Sequence, residues 1–91
     1  MYAQARRLRV NAEYVQYKVC LTWDEETSQM DAAVPTLGIG DCGPDTNAAL
    51  DSLREMVSFH VECLLDEGEQ LPESDEGEGV YIRVPLPVRA G

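Results

Sequence analysis

The sequence predicts an α+β fold: a three-stranded antiparallel meander, one long helix packed on it, then a fourth strand. Three patterns carry that prediction. Apolar and polar residues alternate from Val15 to Trp23, an unbroken helical periodicity occupies the middle of the chain, and a short alternation returns near its end. Ninety-one residues with 44% apolar content suffice for one modest core. The expected organisation is an N-terminal segment over residues 1–13, a single domain over 14–87 and a tail over 88–91.

Taken in order, residues 1–13 stand apart. Leu8, Val10 and Ala12 alternate out of phase with Val15 onward, and Arg6, Arg7 and Arg9 make the segment basic. It fits either an extra strand or an arm that covers an acidic face. From Val15 onward Val15, Tyr17, Val19, Leu21 and Trp23 share one face, with Gln16, Lys18, Cys20 and Thr22 on the other, as in a half-buried strand. The run Asp24 to Ser28 interrupts this pattern before Met30, Ala32 and Val34 resume it, which predicts the second arm of a hairpin, closed by Pro35. Leu37 to Gly43 carries three glycines and few large side chains, and fits either a short bulged strand or a loop.

Asp45 follows Pro44 and precedes a stretch without breakers, so it is the expected N-cap of a helix running to about Glu67, with Gly68 at its C-terminal cap. Leu50, Leu53, Val57, Val61 and Leu64 recur at three- and four-residue steps and predict a buried stripe, flanked by Ala49, Met56 and His60. Residues 69–78 read as a loop of Pro, Ser, Gly and acids. Val80, Ile82 and Val84 then alternate with Tyr81 and Arg83 as the last strand, which Pro85 and Pro87 stop or confine to an edge.

Charge narrows the function classes. Seventeen Asp and Glu against seven Lys and Arg leave a formal charge of -10, the wrong sign for direct nucleic-acid binding, which needs basic side chains to displace counterions. The same field hastens encounter with basic partners and keeps a small protein soluble. Between Glu55 and Glu78 nine acidic residues occur with no Lys or Arg. Glu62, Asp66 and Glu67 crowd the helix C-terminus, where the helix dipole disfavours anions, so their placement points to a basic partner. No stretch is long and apolar enough for a membrane span, and residues 1–13 lack the apolar run of a signal peptide, so a cytoplasmic chain is expected. Cys20, Cys42 and Cys63 are odd in number and lack metal-ligand spacing; reduced structural thiols are the expectation.

Catalytic groups are scarce. His60 is the sole histidine and sits on the flank of the helical stripe, where packing is the simpler role; Cys63 three residues on makes a Cys/His dyad conceivable but leaves it without an orienting third group. Asp24, Glu25 and Glu26 mark the hairpin turn, which lacks the alternating oxygen ligands and central glycine of a calcium loop. Gly38, Gly40 and Gly43 do not have phosphate-loop spacing. The sequence is therefore read as a non-enzyme with no cofactor and no metal.

The segment from Ala49, ALDSLREMVSFHVECLLDEGEQLPES, resembles the helix and exit loop of the HicB antitoxin family, and the Asp-Glu-Gly-Glu-Gln-Leu-Pro run at 66–72 is similar to that family's acidic-Gly-Glu-x-Leu-Pro exit. Trp23 to Glu26 at the turn and Ala33 to Gly38 in the second arm resemble it too, and the likeness covers about residues 15–86. The sequence departs from the family pattern where Leu37 meets Gly38 without an intervening Pro, where Gly40 and Asp41 replace apolar residues, and where Ala48 stands for a frequent Glu. The resemblance implies a partial RNase H-like layer, and a role in binding and neutralising HicA toxins, which are small basic ribonucleases. It does not imply nuclease activity here, because the residues read as strands and helix offer no inward carboxylate cluster. On charge and expected exposure the candidate contacts are Asp24, Glu25, Glu62, Asp66 and Glu67. Self-association into a homo-oligomer is also expected, and a stand-alone oligomeric HicB-like interaction domain with no toxin is the alternative reading.

Overall fold

A computed structural model describes residues 14–87. The basic segment at 1–13 and the tail at 88–91 lie outside the described residues. The order of elements is β1 (Tyr14–Asp24), β2 (Gln29–Val34), β3 (Ile39–Gly43), α1 (Thr46–Asp66) and β4 (Val80–Pro85). The strands form one antiparallel sheet in the order β3-β2-β1-β4, with α1 packed on one face.

Alternation explains the sheet. Val15, Tyr17 and Val19 of β1, Ala32 and Val34 of β2, and Ile82 and Val84 of β4 all point at the helix and are buried. Leu21 and Trp23 depart from the expected pattern. They share this face, but Leu21 is only half-buried and Trp23 is 48% exposed, because the β1–β2 hairpin runs out beyond the core.

Residues 39–43 form a true strand, which settles the choice between strand and loop. β3 pairs with β2 in regular register from Met30↔Gly43 to Val34↔Ile39. Its glycine content has a cause in packing. A Cβ on Gly43 would lie 2.7 Å from the backbone nitrogen of Ala49, so the first turn of α1 rests directly on the strand backbone there. The same closeness shifts the centre of the helical stripe from the sequence expectation. The fully buried positions are Ala49, Leu53, Val57 and Val61, at strict four-residue steps, while Leu50 and Leu64 flank them half-buried. A small residue is needed where helix and strand approach most closely.

Both ends of α1 are capped. The Asp45 carboxylate accepts the Ala48 N–H at 2.8 Å. At the other end Gly68 takes a φ of +75, its N–H reaches the Leu65 carbonyl at 3.1 Å, and the Glu69 N–H reaches the Leu64 carbonyl at 2.8 Å. That pair of bonds is a Schellman closure, and the positive φ is the reason for a glycine at 68.

The segment after α1 is more than a loop. β1 pairs with β4 over Tyr14–Val19 and with β2 over Cys20–Asp24, so the β2-facing edge of its first half has no strand beside it. Ser74 and Asp75 fill that gap. Ser74 Oγ accepts the Gln16 N–H at 3.0 Å, and the Asp75 N–H donates to the Gln16 carbonyl at 3.0 Å. The Asp75 carboxylate accepts the Lys18 N–H at 2.9 Å and the Thr36 hydroxyl at 2.8 Å, tying β1 to the turn after β2. Leu71 enters the core at 7% exposure. The chain then passes over the Lys18 side chain at Gly77 and Gly79, on the face away from α1, and enters β4.

Candidate functional site

The structure divides the five acidic residues singled out by sequence into two groups. Asp24 and Glu25 stand at the tip of the β1–β2 hairpin, where an Asp24 carboxylate oxygen accepts the Glu26 N–H at 3.0 Å and holds the turn. Glu62, Asp66 and Glu67 lie at the other end of the molecule. The N-terminus of α1 rests on Gly43, level with Met30 near the hairpin tip, and the helix then runs for 21 residues, about 30 Å, toward the start of β1 and the end of β4. A small partner can cover one group or the other.

The group on α1 belongs to a larger surface. Glu55, Phe59, Glu62 and Asp66 follow one another at steps of four, three and four, so they line the side of the helix turned away from the sheet, and all four are exposed. Phe59 is 68% exposed, the most open of the large apolar side chains among the described residues. Sequence reasoning missed it, because a lone aromatic outside the buried stripe carries no periodic signal. An apolar ring among carboxylates suits a partner segment that mixes apolar and basic side chains.

Beside this face a groove of about 520 Å³ separates the C-terminal half of α1 from the end of β4. Val61, Leu65, Val84 and Leu86 give it apolar walls, and Glu62 and Asp66 stand on its helical side.

Positive charge is scarce on the described residues: sixteen Asp and Glu face Lys18, Arg54 and Arg83. Arg54 is held by Asp51 at 3.1 Å, one turn back on the helix. Arg83 stacks 4.2 Å from the centre of the Tyr14 ring and donates to Gln16 Oε1 at 3.2 Å, and Lys18 lies 5.8 Å from the Tyr81 ring. Lys18 and Arg83 project from the sheet face opposite α1, so among the described residues the helical side carries one cation, Arg54, already paired with Asp51. That asymmetry gives the molecule an acidic face and a mixed one.

Compared with protein-family models, curated proteins and solved structures, the chain finds no match. Function has to be read from the molecule's own surface.

Among the described residues no group of three or more His, Cys, Asp or Glu side chains is placed to hold a metal ion, and no helix is long and apolar enough to cross a membrane. His60 and Cys63 are both half-buried on the flank of α1. Cys20 and Cys42 are exposed, and all three thiols are free.

Among the described residues one titratable group is strongly perturbed, and it is structural. The Tyr17 hydroxyl donates to the Pro72 carbonyl at 2.7 Å. Burial, with a smaller contribution from the charge of Asp75, pushes its pKa up to about 12. Both partners come from the exit segment, so this buried phenol reports on how that segment is seated.

Proposed function

We propose that the chain is a HicB-like antitoxin domain that binds and neutralises a small, basic HicA-type ribonuclease toxin. The observation that carries the reading is the exit of α1. Gly68 closes the helix, Leu71 fills the core and the Pro72 carbonyl receives the Tyr17 hydroxyl. These are the residues of the acidic-Gly-Glu-x-Leu-Pro run on which the resemblance rests, and each has a structural task in joining α1 to β4. The contact surface is the outward side of α1, with Phe59 as apolar anchor and Glu55, Glu62 and Asp66 as acceptors for Lys and Arg of the toxin. Glu67 extends that patch, and Asp24 and Glu25 add long-range attraction from the other end. Inhibition would follow from covering the toxin's active site, with no reaction catalysed and no cofactor.

The test is to titrate the chain into a HicA-type ribonuclease while RNA cleavage is followed. Cleavage should stop near equal amounts of the two proteins. The exchange Glu62→Lys with Asp66→Lys should weaken inhibition by on the order of tenfold or more, since like charges across an interface cost several kcal/mol. Undiminished cleavage at a large excess of chain would remove the toxin from this reading.

The open edge of β3 favours a second reading, a stand-alone oligomeric HicB-like domain with no toxin. Among the described residues β3 is bonded to β2 on one side only, and an unpaired strand edge can pair with a second copy. Sedimentation of the chain alone distinguishes the two: a stable dimer indifferent to salt supports self-pairing, and a monomer excludes it.

A further inference from the structure

Tyr14, the first residue of β1, pairs with Pro85, and Pro85 lies on the wall of the groove between α1 and β4. The thirteen residues before Tyr14 therefore enter the fold beside that groove. Their sequence is its chemical complement. Arg7, Leu8, Arg9 and Val10 alternate basic and apolar, while the groove joins apolar walls (Val61, Leu65, Val84 and Leu86) to two carboxylates (Glu62 and Asp66). Reach is no obstacle. Arg9 is five residues before Tyr14, a span of up to about 17 Å when extended. Of the chain's seven basic residues, three, Arg6, Arg7 and Arg9, fall in this short segment, three in the described part already have partners, and the seventh is Arg89.

We propose that the N-terminal segment is an intramolecular ligand of this groove: Leu8 and Val10 pack on its apolar walls while Arg7 and Arg9 meet the carboxylates of Glu62 and Asp66. The proposal needs no toxin, and its failure would leave the reading of the α1 face untouched.

Limited trypsin digestion of the full chain tests it, since trypsin cuts after Arg6, Arg7 and Arg9. In low salt these cuts should be slow. Glu62→Gln with Asp66→Gln should speed them about fivefold, as expected from losing two partly exposed ion pairs, and high salt should do the same. Val10→Ser, which alters nothing in the described fold, should also speed them if the apolar contacts exist. Equal cleavage rates in the parent and in both variants would overturn the proposal. So would protection that grows with protein concentration, because the segment would then be seated on a second copy.

Discussion

The two halves of β1 are one strand in two environments. In the half from Tyr14 to Val19 both edges are bonded, to β4 on one side and to Ser74 and Asp75 on the other, and Val15, Tyr17 and Val19 are buried. In the half from Cys20 to Asp24 only β2 is alongside, Leu21 is half-buried and Trp23 is largely exposed. Alternation is the same in both. What differs is whether a second edge partner is present, and in the first half it comes from the segment that follows α1, which also sends Leu71 into the core. That acidic segment, unpromising as structure in the sequence, makes half of the strand into core.

If this is right, the largest effect should come from cutting the tie. Asp75→Ala removes the acceptor of the Lys18 N–H and of the Thr36 hydroxyl. Leaving a partly buried amide without its charged partner should cost about 2–3 kcal/mol of folding stability, measured by urea unfolding. Amide exchange would then quicken across Gln16–Lys18 before it changes in Cys20–Asp24. An equal response of the two halves would show that the exit segment does not set the difference.

Alkaline pH gives a second way to probe the same seat. In the unfolded chain Tyr17 titrates near its ordinary value of 10.0, and in the folded protein near 12. The folded state holds its proton longer, so stability is complete below pH 10 and falls as the pH rises from there toward 12. The loss should reach about 2 kcal/mol at the upper end of that window. Tyr17→Phe should abolish this part of the pH dependence while weakening the protein at neutral pH by about 1 kcal/mol, the net value of its bond to Pro72. Ultraviolet titration should show Tyr17 ionising late, a late step that the Tyr17→Phe variant lacks. A Tyr17→Phe variant with the parent's alkaline profile would place the sensitivity elsewhere.

Local periodicity made β1, β2, β4 and the helix legible in the sequence, because each buries one face and repeats at its own period, whereas the glycines of β3 left strand and loop both open. The caps at Asp45 and Gly68 were legible for the same reason, each being fixed by its own backbone position. The exit segment was not. Leu71 is a single apolar residue among acids and prolines, and Asp75 bonds to residues 57 and 39 positions away, so neither leaves a local trace. Leu53, Val57 and Val61 of the expected stripe are buried, but at its N-terminal end size favours Leu50 whereas the close approach of α1 to Gly43 selects Ala49. At the surface, charge alone singled out five acids, and only the fold shows that they occupy two ends and that Phe59 stands among one group.

The smallest effect is expected at Trp23. A tryptophan truncated inside a core costs about 3–5 kcal/mol, yet Trp23 is 48% exposed near the hairpin tip. Trp23→Ala should therefore lower stability by less than about 1 kcal/mol, the range of substitutions outside the core. The remaining contact is the cross-strand pair with Met30, which accounts for a few tenths of that. A loss of core size would mean that the outer half of β1 is covered in solution. Since β4 does not reach it, further cover would have to come from another chain or from residues 1–13. Dilution separates these sources, because only a cover supplied by another chain is lost as the protein becomes scarce.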